Sequence, residues 1–150
     1  MCTLTVPGTP RSSPLPPPSA LPHLPNGFQT QDRCLACHNG LQTSSGEDVP
    51  ISPAWRASIM ANSARDPYWQ ASVRREVTDH AEAQAEIEDE CSVCHMPITR
   101  YEAKLRGRTG EIFAHLPINE DDAEHRQAAD GVSCSVCHQI TKDKFGKRES

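Results

Sequence analysis

The sequence of 150 residues predicts a mainly α-helical, loop-rich fold with little or no sheet. Apolar residues recur at every third or fourth position between Trp69 and Cys91, as they do on one face of a helix. No segment shows the two-residue alternation of a strand. Only 36% of the residues are apolar and 5% are aromatic, so side chains alone would make a thin core. A core of this kind usually needs disulfides, metals or cofactors to complete it.

The chain divides into two parts by composition. Residues 1–26 hold eight of the thirteen prolines, which excludes long helices and ladder-paired strands, so we expect a flexible linker or tail there. This stretch has no continuous apolar segment of the signal-peptide kind, and Cys2 reads as a lone free thiol. Residues 27–150 are expected to form the domain.

Capping signals predict three helices in the domain. Ser52-Pro53 starts one that runs through PAWRASIMANSA. Asp66-Pro67 starts a second, which continues to Cys91 and carries an apolar stripe on one face. Residues 96–118 contain two prolines and two glycines and read mostly as loop. Asn119 caps a third, acidic helix that ends at Gly131. The stripe has these members: Trp69, Val73, Val77, His80, Gln84, Ile87 and Cys91.

The pattern Cys-x-x-Cys-His occurs three times, as CLACH at 34–38 and as CSVCH at 91–95 and 134–138. It accounts for six of the seven cysteines. Two cysteines at this spacing lie about one helical turn apart, so their sulfurs can add to the two vinyl groups along one edge of a haem. The following histidine is then placed to bind the iron. This is the attachment signature of c-type haem.

Other uses of these cysteines fit less well. A zinc site made from Cys-x-x-Cys pairs would leave one pair over and needs no histidine after each pair. Disulfides within each motif would close very short loops and stabilise little. We therefore predict three covalently attached haems c, whose faces form much of the apolar interior. Their predicted ligands are Cys34, Cys37 and His38; Cys91, Cys94 and His95; and Cys134, Cys137 and His138.

The opposite side of each iron needs a second ligand if the haem only transfers electrons. Candidates are His80, His115, His125 and, as a thioether ligand, Met60. A continuous helix through Cys91 would bring His80 to a neighbouring haem. Each candidate also has a plain structural reading, as a hydrogen-bonded histidine or a core methionine. His23, in the proline-rich tail, is expected to be solvated.

Four stretches resemble multihaem c-type cytochromes, and more narrowly the group related to the tetrahaem nitrification cytochromes and hydroxylamine oxidoreductase. They are CLACHNG at 34–40, SPAWRASIMANSARDPYW at 52–69, DECSVCHMPI at 89–98 and DGVSCSVCHQI at 130–140. The resemblance implies a distal-ligand role for Met60, since related proteins often carry histidine there. It also implies four or more haems, so we expect the sequence to be part of a longer cytochrome.

The resemblance further implies transfer of single electrons between redox partner proteins, such as other cytochromes or a membrane-bound oxidoreductase. Haem c attachment implies a periplasmic or otherwise extracytoplasmic location, although this sequence contains no export signal. The net charge of −5 gives nucleic-acid binding no support, and we expect membrane contact only through an anchor outside this sequence. The alternative is a haem enzyme acting on a small nitrogen or sulfur compound at an open iron, with His80, Arg65 or Tyr101 as acid or base.

Overall fold

The computed structural model describes residues 27–140, 142, 143 and 146. The predicted linker 1–26, with Cys2 and His23, lies outside the described residues. The described part is mainly helical, as predicted, and its strand pairing is limited to one isolated bridge between Gln42 and Asp48. Its α-helices are α1 (Gln31–Leu35), α2 (Ile51–Arg56), α3 (Ile59–Asn62), α4 (Pro67–Asp79), α5 (Gln84–His95), α6 (Pro97–Leu105), α7 (Ala123–Ala129) and α8 (Cys134–His138).

The helix predicted from Ser52-Pro53 is divided into α2 and α3. Ser58 causes the division, because its hydroxyl accepts the backbone N–H of Ala61 at 3.1 Å and starts a new helix. The Asn62 side chain donates to the carbonyls of Arg56 and Ser58, each at 2.9 Å. These bonds satisfy the carbonyl groups that the break releases.

The prediction of one continuous helix from Asp66-Pro67 to Cys91 was wrong. Asp66 caps α4 as expected, with its carboxylate accepting the N–H of Tyr68 at 2.9 Å. The helix ends at Asp79, however, and His80 adopts φ −130° and ψ 56° before a short 3₁₀ turn leads into α5. Thr78 bonds back to the carbonyl of Arg74 at 2.7 Å, a contact that weakens helices. The break lets α4 and α5 pack side by side.

The prediction that residues 96–118 are mostly loop was wrong for its first half. Pro97 begins α6, where its missing N–H costs nothing because the first turn has no partner for it. Gly107 follows the end of α6 with φ 70°. Residues 106–118 do form a loop, with one 3₁₀ turn at Phe113–His115. Helix α7 begins three residues later than Asn119 suggested, and Asp122 caps it.

The core lies where α4, α5 and the loop after α6 meet. Its buried members are Ala64, Trp69, Val73, Met96, Ile112 and Ala128. Alanine supplies five of the eleven buried hydrophobic residues in the described part, which is the thin core that the composition predicts. No helix among the described residues has the length and apolar character needed to cross a membrane.

Candidate functional site

The second Cys-x-x-Cys-His motif forms the last turn and a half of α5. Cys91 is half-buried against the core, whereas Cys94 is exposed. Burial raises the pKa of the Cys91 thiol, and the nearby charges of Glu76, Cys94 and Glu90 raise it further. The thiol is therefore held in its protonated form at neutral pH. Helix α5 thus presents one sheltered and one accessible sulfur at the spacing that haem attachment requires.

The ring of His95 is fixed by two neighbours. Its Nδ1 lies 2.7 Å from the carbonyl oxygen of Ser63, and because a carbonyl only accepts, Nδ1 must carry the proton. Nε2 then carries the free lone pair that a metal needs. The indole of Trp69 stacks on the imidazole, with ring centroids 4.1 Å apart and planes within 4°. Ser63 also donates its hydroxyl to the His95 carbonyl at 3.2 Å.

Two carboxylates just before Cys91 hold the loop that follows α6. Buried Glu88 accepts the backbone N–H groups of Ile112 at 2.6 Å and Phe113 at 3.0 Å. Asp89 accepts the N–H of Gly110 at 2.7 Å and pairs with Arg100 at 3.0 Å. The Arg100 hydrogen bond, followed by the Gly110 N–H, lowers the pKa of Asp89. Motif two is therefore attached to a rigid frame.

The first and third motifs lie together, because α1 packs against α8. The Ser135 hydroxyl makes two hydrogen bonds with the backbone of Gln29. It accepts the Gln29 N–H at 3.2 Å and donates to the Gln29 carbonyl at 2.7 Å. The N–H of Gln31 donates to buried Asp130 at 3.0 Å. Burial raises the pKa of the Cys134 thiol, and the neighbouring Cys34 raises it further.

The histidines of these two motifs are exposed. In motif three all five residues belong to α8. In motif one, α1 ends at Leu35, and His38 follows in a turn. The backbone N–H of His38 donates there to the Cys34 carbonyl at 3.0 Å. Across the described residues, no side-chain hydrogen bond fixes the ring of His38 or His138. Both rings are accessible but, unlike His95, are not oriented by a neighbour.

Two of the candidate distal ligands, His115 and His125, lie beside each other. Their ring centroids are 5.9 Å apart and the planes are nearly perpendicular. Burial lowers the pKa of His115, so its ring is neutral at pH 7, the form that binds metals. The structure places them against one another, His115 on the loop after α6 and His125 on α7.

The Nδ1 atom of His125 lies 3.2 Å from two backbone groups of opposite character. One is the N–H of Asn119, which donates to it, and the other is the carbonyl of Pro117, which can only accept. A neutral ring satisfies one of these at a time. Only donation to Pro117 leaves Nε2 free for a metal.

The other two candidates lie apart from that pair. His80 is exposed at the break between α4 and α5, so it does not lie on the continuous helix that was expected to bring it to a neighbouring haem. Met60 is 50% exposed on α3. Its carbonyl accepts the N–H of Val132 at 3.0 Å, which puts the Met60 backbone next to the approach to motif three. Met96, which directly follows His95, is buried in the core at 1% exposure.

The residues present fit a haem group. Each motif offers two free thiols, one of them exposed, and His95 offers Nε2. In addition, the indole Nε1 atoms of Trp55 and Trp69 are buried with no hydrogen-bond partner among the described residues. Haem carries two propionates, which accept such bonds. Sequence reasoning missed the role of Ser63, because the contact of a backbone carbonyl with a distant histidine leaves no pattern in the sequence.

A polar cleft of about 210 Å³ lies elsewhere, between α6, α7 and the loop bearing His115. Arg106 and Arg108 line it, but both pair with glutamates, Arg106 with Glu102 and Glu124, and Arg108 with Glu111. No motif residue lines this cleft. Within the described ranges, no three His, Cys, Asp or Glu side chains converge closely enough to hold a metal ion by themselves.

No family model, no curated protein and no solved structure matches this chain. The family resemblance drawn from the sequence therefore stays a prediction.

Proposed function

We propose that this protein is a multihaem c-type cytochrome that carries single electrons between redox partners through three covalently bound haems. The observation that carries the proposal is the repeated Cys-x-x-Cys-His unit, which lies in or just after a helix each time and has an exposed second cysteine. The fixed tautomer of His95, with Nε2 free, supports it at motif two.

The chain's own residues have distinct roles in this proposal. The six cysteines hold the haems by thioether bonds, and His38, His95 and His138 supply the proximal nitrogen to each iron. Bound haem supplies an iron that changes its oxidation state by one electron. His115, His125, His80 and Met60 remain candidate distal ligands.

The placement of the motifs supports electron transfer within the molecule. The packing of α1 against α8 brings the attachment points of motifs one and three together. The segment 60–63 joins motif two to motif three, since Ser63 contacts His95 and Met60 contacts Val132. One short segment thus connects motif two to the approach to motif three.

The wider setting follows from haem c chemistry. Covalent attachment of haem c takes place outside the cytoplasm, so we propose a periplasmic or otherwise extracytoplasmic location. The partners would be other cytochromes or a membrane-bound oxidoreductase. The acidic segments on α5 and before α7 suit a partner with a basic docking face.

The test is to express the full chain with an added export signal and a cytochrome c maturation system, and then to measure covalent haem by mass and by the pyridine haemochrome spectrum. We expect three haems. Replacing both cysteines of any one motif by alanine should remove one haem, whereas Cys2→Ala, outside the motifs, should remove none. Absence of covalent haem, with zinc bound instead, would overturn the proposal.

The spin state separates the carrier from the enzyme alternative. Three low-spin haems, each with two axial ligands, agree with an electron carrier. A high-spin fraction that binds small ligands would favour a haem enzyme acting on a small nitrogen or sulfur compound.

A further inference from the structure

The three motif histidines differ in how firmly they are held. His95 is half-buried, donates from Nδ1 to the Ser63 carbonyl at 2.7 Å and stacks on Trp69 at 4.1 Å. His38 and His138 are exposed, and the described residues give neither ring a hydrogen-bond acceptor. The same sequence motif therefore presents one oriented imidazole and two that are free to rotate.

A hydrogen bond from Nδ1 changes the donor strength of the other ring nitrogen. Donation to a carbonyl gives Nε2 more electron density and makes it a stronger base. A stronger base stabilises Fe(III) more than Fe(II), because the oxidised iron carries one more positive charge. The Ser63 carbonyl therefore lowers the reduction potential of an iron bound to His95.

Burial acts in the opposite direction, because a low dielectric favours the reduced form, which carries less charge. In each motif the first cysteine is half-buried and the second is exposed, so burial of the attachment points does not separate the three sites. The histidines do differ, since His95 is half-buried whereas His38 and His138 are exposed, and this burial opposes the effect of the hydrogen bond at motif two. The Nδ1 hydrogen bond is therefore the feature that gives motif two the lower potential, against the effect of burial.

We propose that motif two holds the haem with the lowest reduction potential of the three, and that Ser63 and Trp69 are the positioning residues that set it. This inference rests on the proposed haem attachment. Ser63 provides the acceptor, and Trp69 holds the ring plane so that Nδ1 keeps pointing at that acceptor. Each haem takes up one electron as Fe(III) becomes Fe(II), so the order of potentials decides which site is reduced last.

The test is a spectroelectrochemical titration of the full-length protein with its haems attached. Three one-electron steps are expected in the wild type. The double variant Cys91→Ala/Cys94→Ala should lose the lowest step, which assigns it to motif two. Loss of a higher step would overturn the assignment.

Variants at Trp69 test the positioning role. Trp69→Leu removes the stack, so the ring can turn away from Ser63 and the lowest step should rise while the other two stay in place. Water entering the space left by the indole would instead lower that step, so the direction of the shift is decisive. Trp69→Phe keeps a stacking ring and should restore the wild-type value. Tyr68→Leu, at an 81% exposed neighbour, is the matched control and should shift nothing.

Two further measurements keep the proposal testable if Trp69→Leu does not fold. Ser63→Ala removes the hydroxyl bond to the His95 carbonyl and should raise the same step by a smaller amount. In the fully reduced wild type, the Nδ1 proton of His95 should exchange with solvent more slowly than those of His38 and His138. Equal exchange at all three rings would overturn the inference. A failure of haem attachment would instead appear earlier, as missing covalent haem in the mass spectrum.

Discussion

Motif two and the pair formed by motifs one and three share a sequence pattern but not a setting. Motif two ends a twelve-residue helix that packs between α4 and α6. Its histidine is stacked and hydrogen-bonded, and the two carboxylates before it hold a distant loop. Motifs one and three lie in or just after five-residue helices, with exposed histidines. Two contacts join these motifs: the Ser135 hydroxyl bonds to the backbone of Gln29, and the Asp130 carboxylate bonds to the backbone of Gln31.

The same five-residue pattern therefore occurs in surroundings of different rigidity. At motif two, the neighbouring helices supply the rigidity. At motifs one and three, helices of five residues are too short to be stable alone, so their order depends on docking to one another. We therefore expect the frame around motif two to be the more stable part of the protein.

The largest expected effect comes from removing the Glu88 carboxylate. Glu88→Ala leaves the buried N–H of Ile112 and that of Phe113 without an acceptor, and should lower the free energy of unfolding by about 3 kcal/mol. Urea denaturation of the purified protein measures this. Glu90→Ala, an exposed neighbour on the same helix, should change stability by less than about 0.5 kcal/mol.

Glu88→Gln sharpens the same comparison. It retains one acceptor oxygen in nearly the same shape, so the loss should be clearly smaller than in Glu88→Ala. Equal losses in Glu88→Ala and Glu90→Ala would contradict the view that this carboxylate holds the loop.

A smaller loss is expected at Gly131, where motif three meets the segment 60–63. Its φ of 63° disfavours any side chain, and an added Cβ would press on the Met60 carbonyl and lie 2.8 Å from the Ser63 hydroxyl. Gly131→Ala should cost about 2 kcal/mol. The same denaturation experiment measures it, with haem loading at motif three as a second readout.

Two other glycines separate the causes of this loss. Gly107 has a φ of 70° but open space around it, so Gly107→Ala should cost only the backbone strain, about 1 kcal/mol. Gly40 has neither restriction, and Gly40→Ala should be nearly neutral. If Gly131→Ala and Gly107→Ala cost the same, the close approach between motif three and α3 is not important for stability.

The sequence could predict those features that depend on local pattern. Four features follow from neighbouring residues: the helical class, the absence of period-two segments, the cap at Asp66 and the thin core. The apolar stripe was largely correct, since Trp69 and Val73 are buried and Val77, Ile87 and Cys91 pack against the core. His80 and Gln84, its polar members, are exposed, and the helix breaks where they occur.

Features that depend on tertiary contacts could not be predicted in this way. Pro97 was interpreted as a helix breaker, although at a first helical position it is compatible with α6. Nothing local marks the Ser63 carbonyl as the partner of His95, 32 positions away, or Glu88 as the acceptor for Ile112, 24 positions away. The pairing of motifs one and three depends on contacts more than 90 positions apart, such as that of Gln31 with Asp130.

The smallest expected effect is a difference in pH dependence between the two regions. Asp89, in the frame of motif two, has a lowered pKa because of Arg100 and Gly110. Its contribution to stability is therefore present above the unfolded-state pKa of about 3.9 and is lost as pH falls through the folded pKa. Asp130, between motifs one and three, has a raised pKa, chiefly because it is buried, with Asp32 adding to the shift. Its contribution is present below about pH 3.9 and is lost as pH rises through the folded pKa.

Unfolding free energies measured from pH 3 to pH 7 check these opposite signs. Asp89→Asn should lose stability relative to the wild type mainly at the upper end of that range, and the difference should shrink in acid. The free energy of unfolding of Asp130→Asn, relative to that of the wild type, should be highest at the upper end of the pH range, because the wild type must keep a buried charge there. Asn also keeps an oxygen that can accept the N–H of Gln31. If the stability difference from the wild type changed with pH in the same direction for both variants, the two carboxylates would have similar surroundings. The contrast between the frame around motif two and the docked pair of motifs one and three would then not hold.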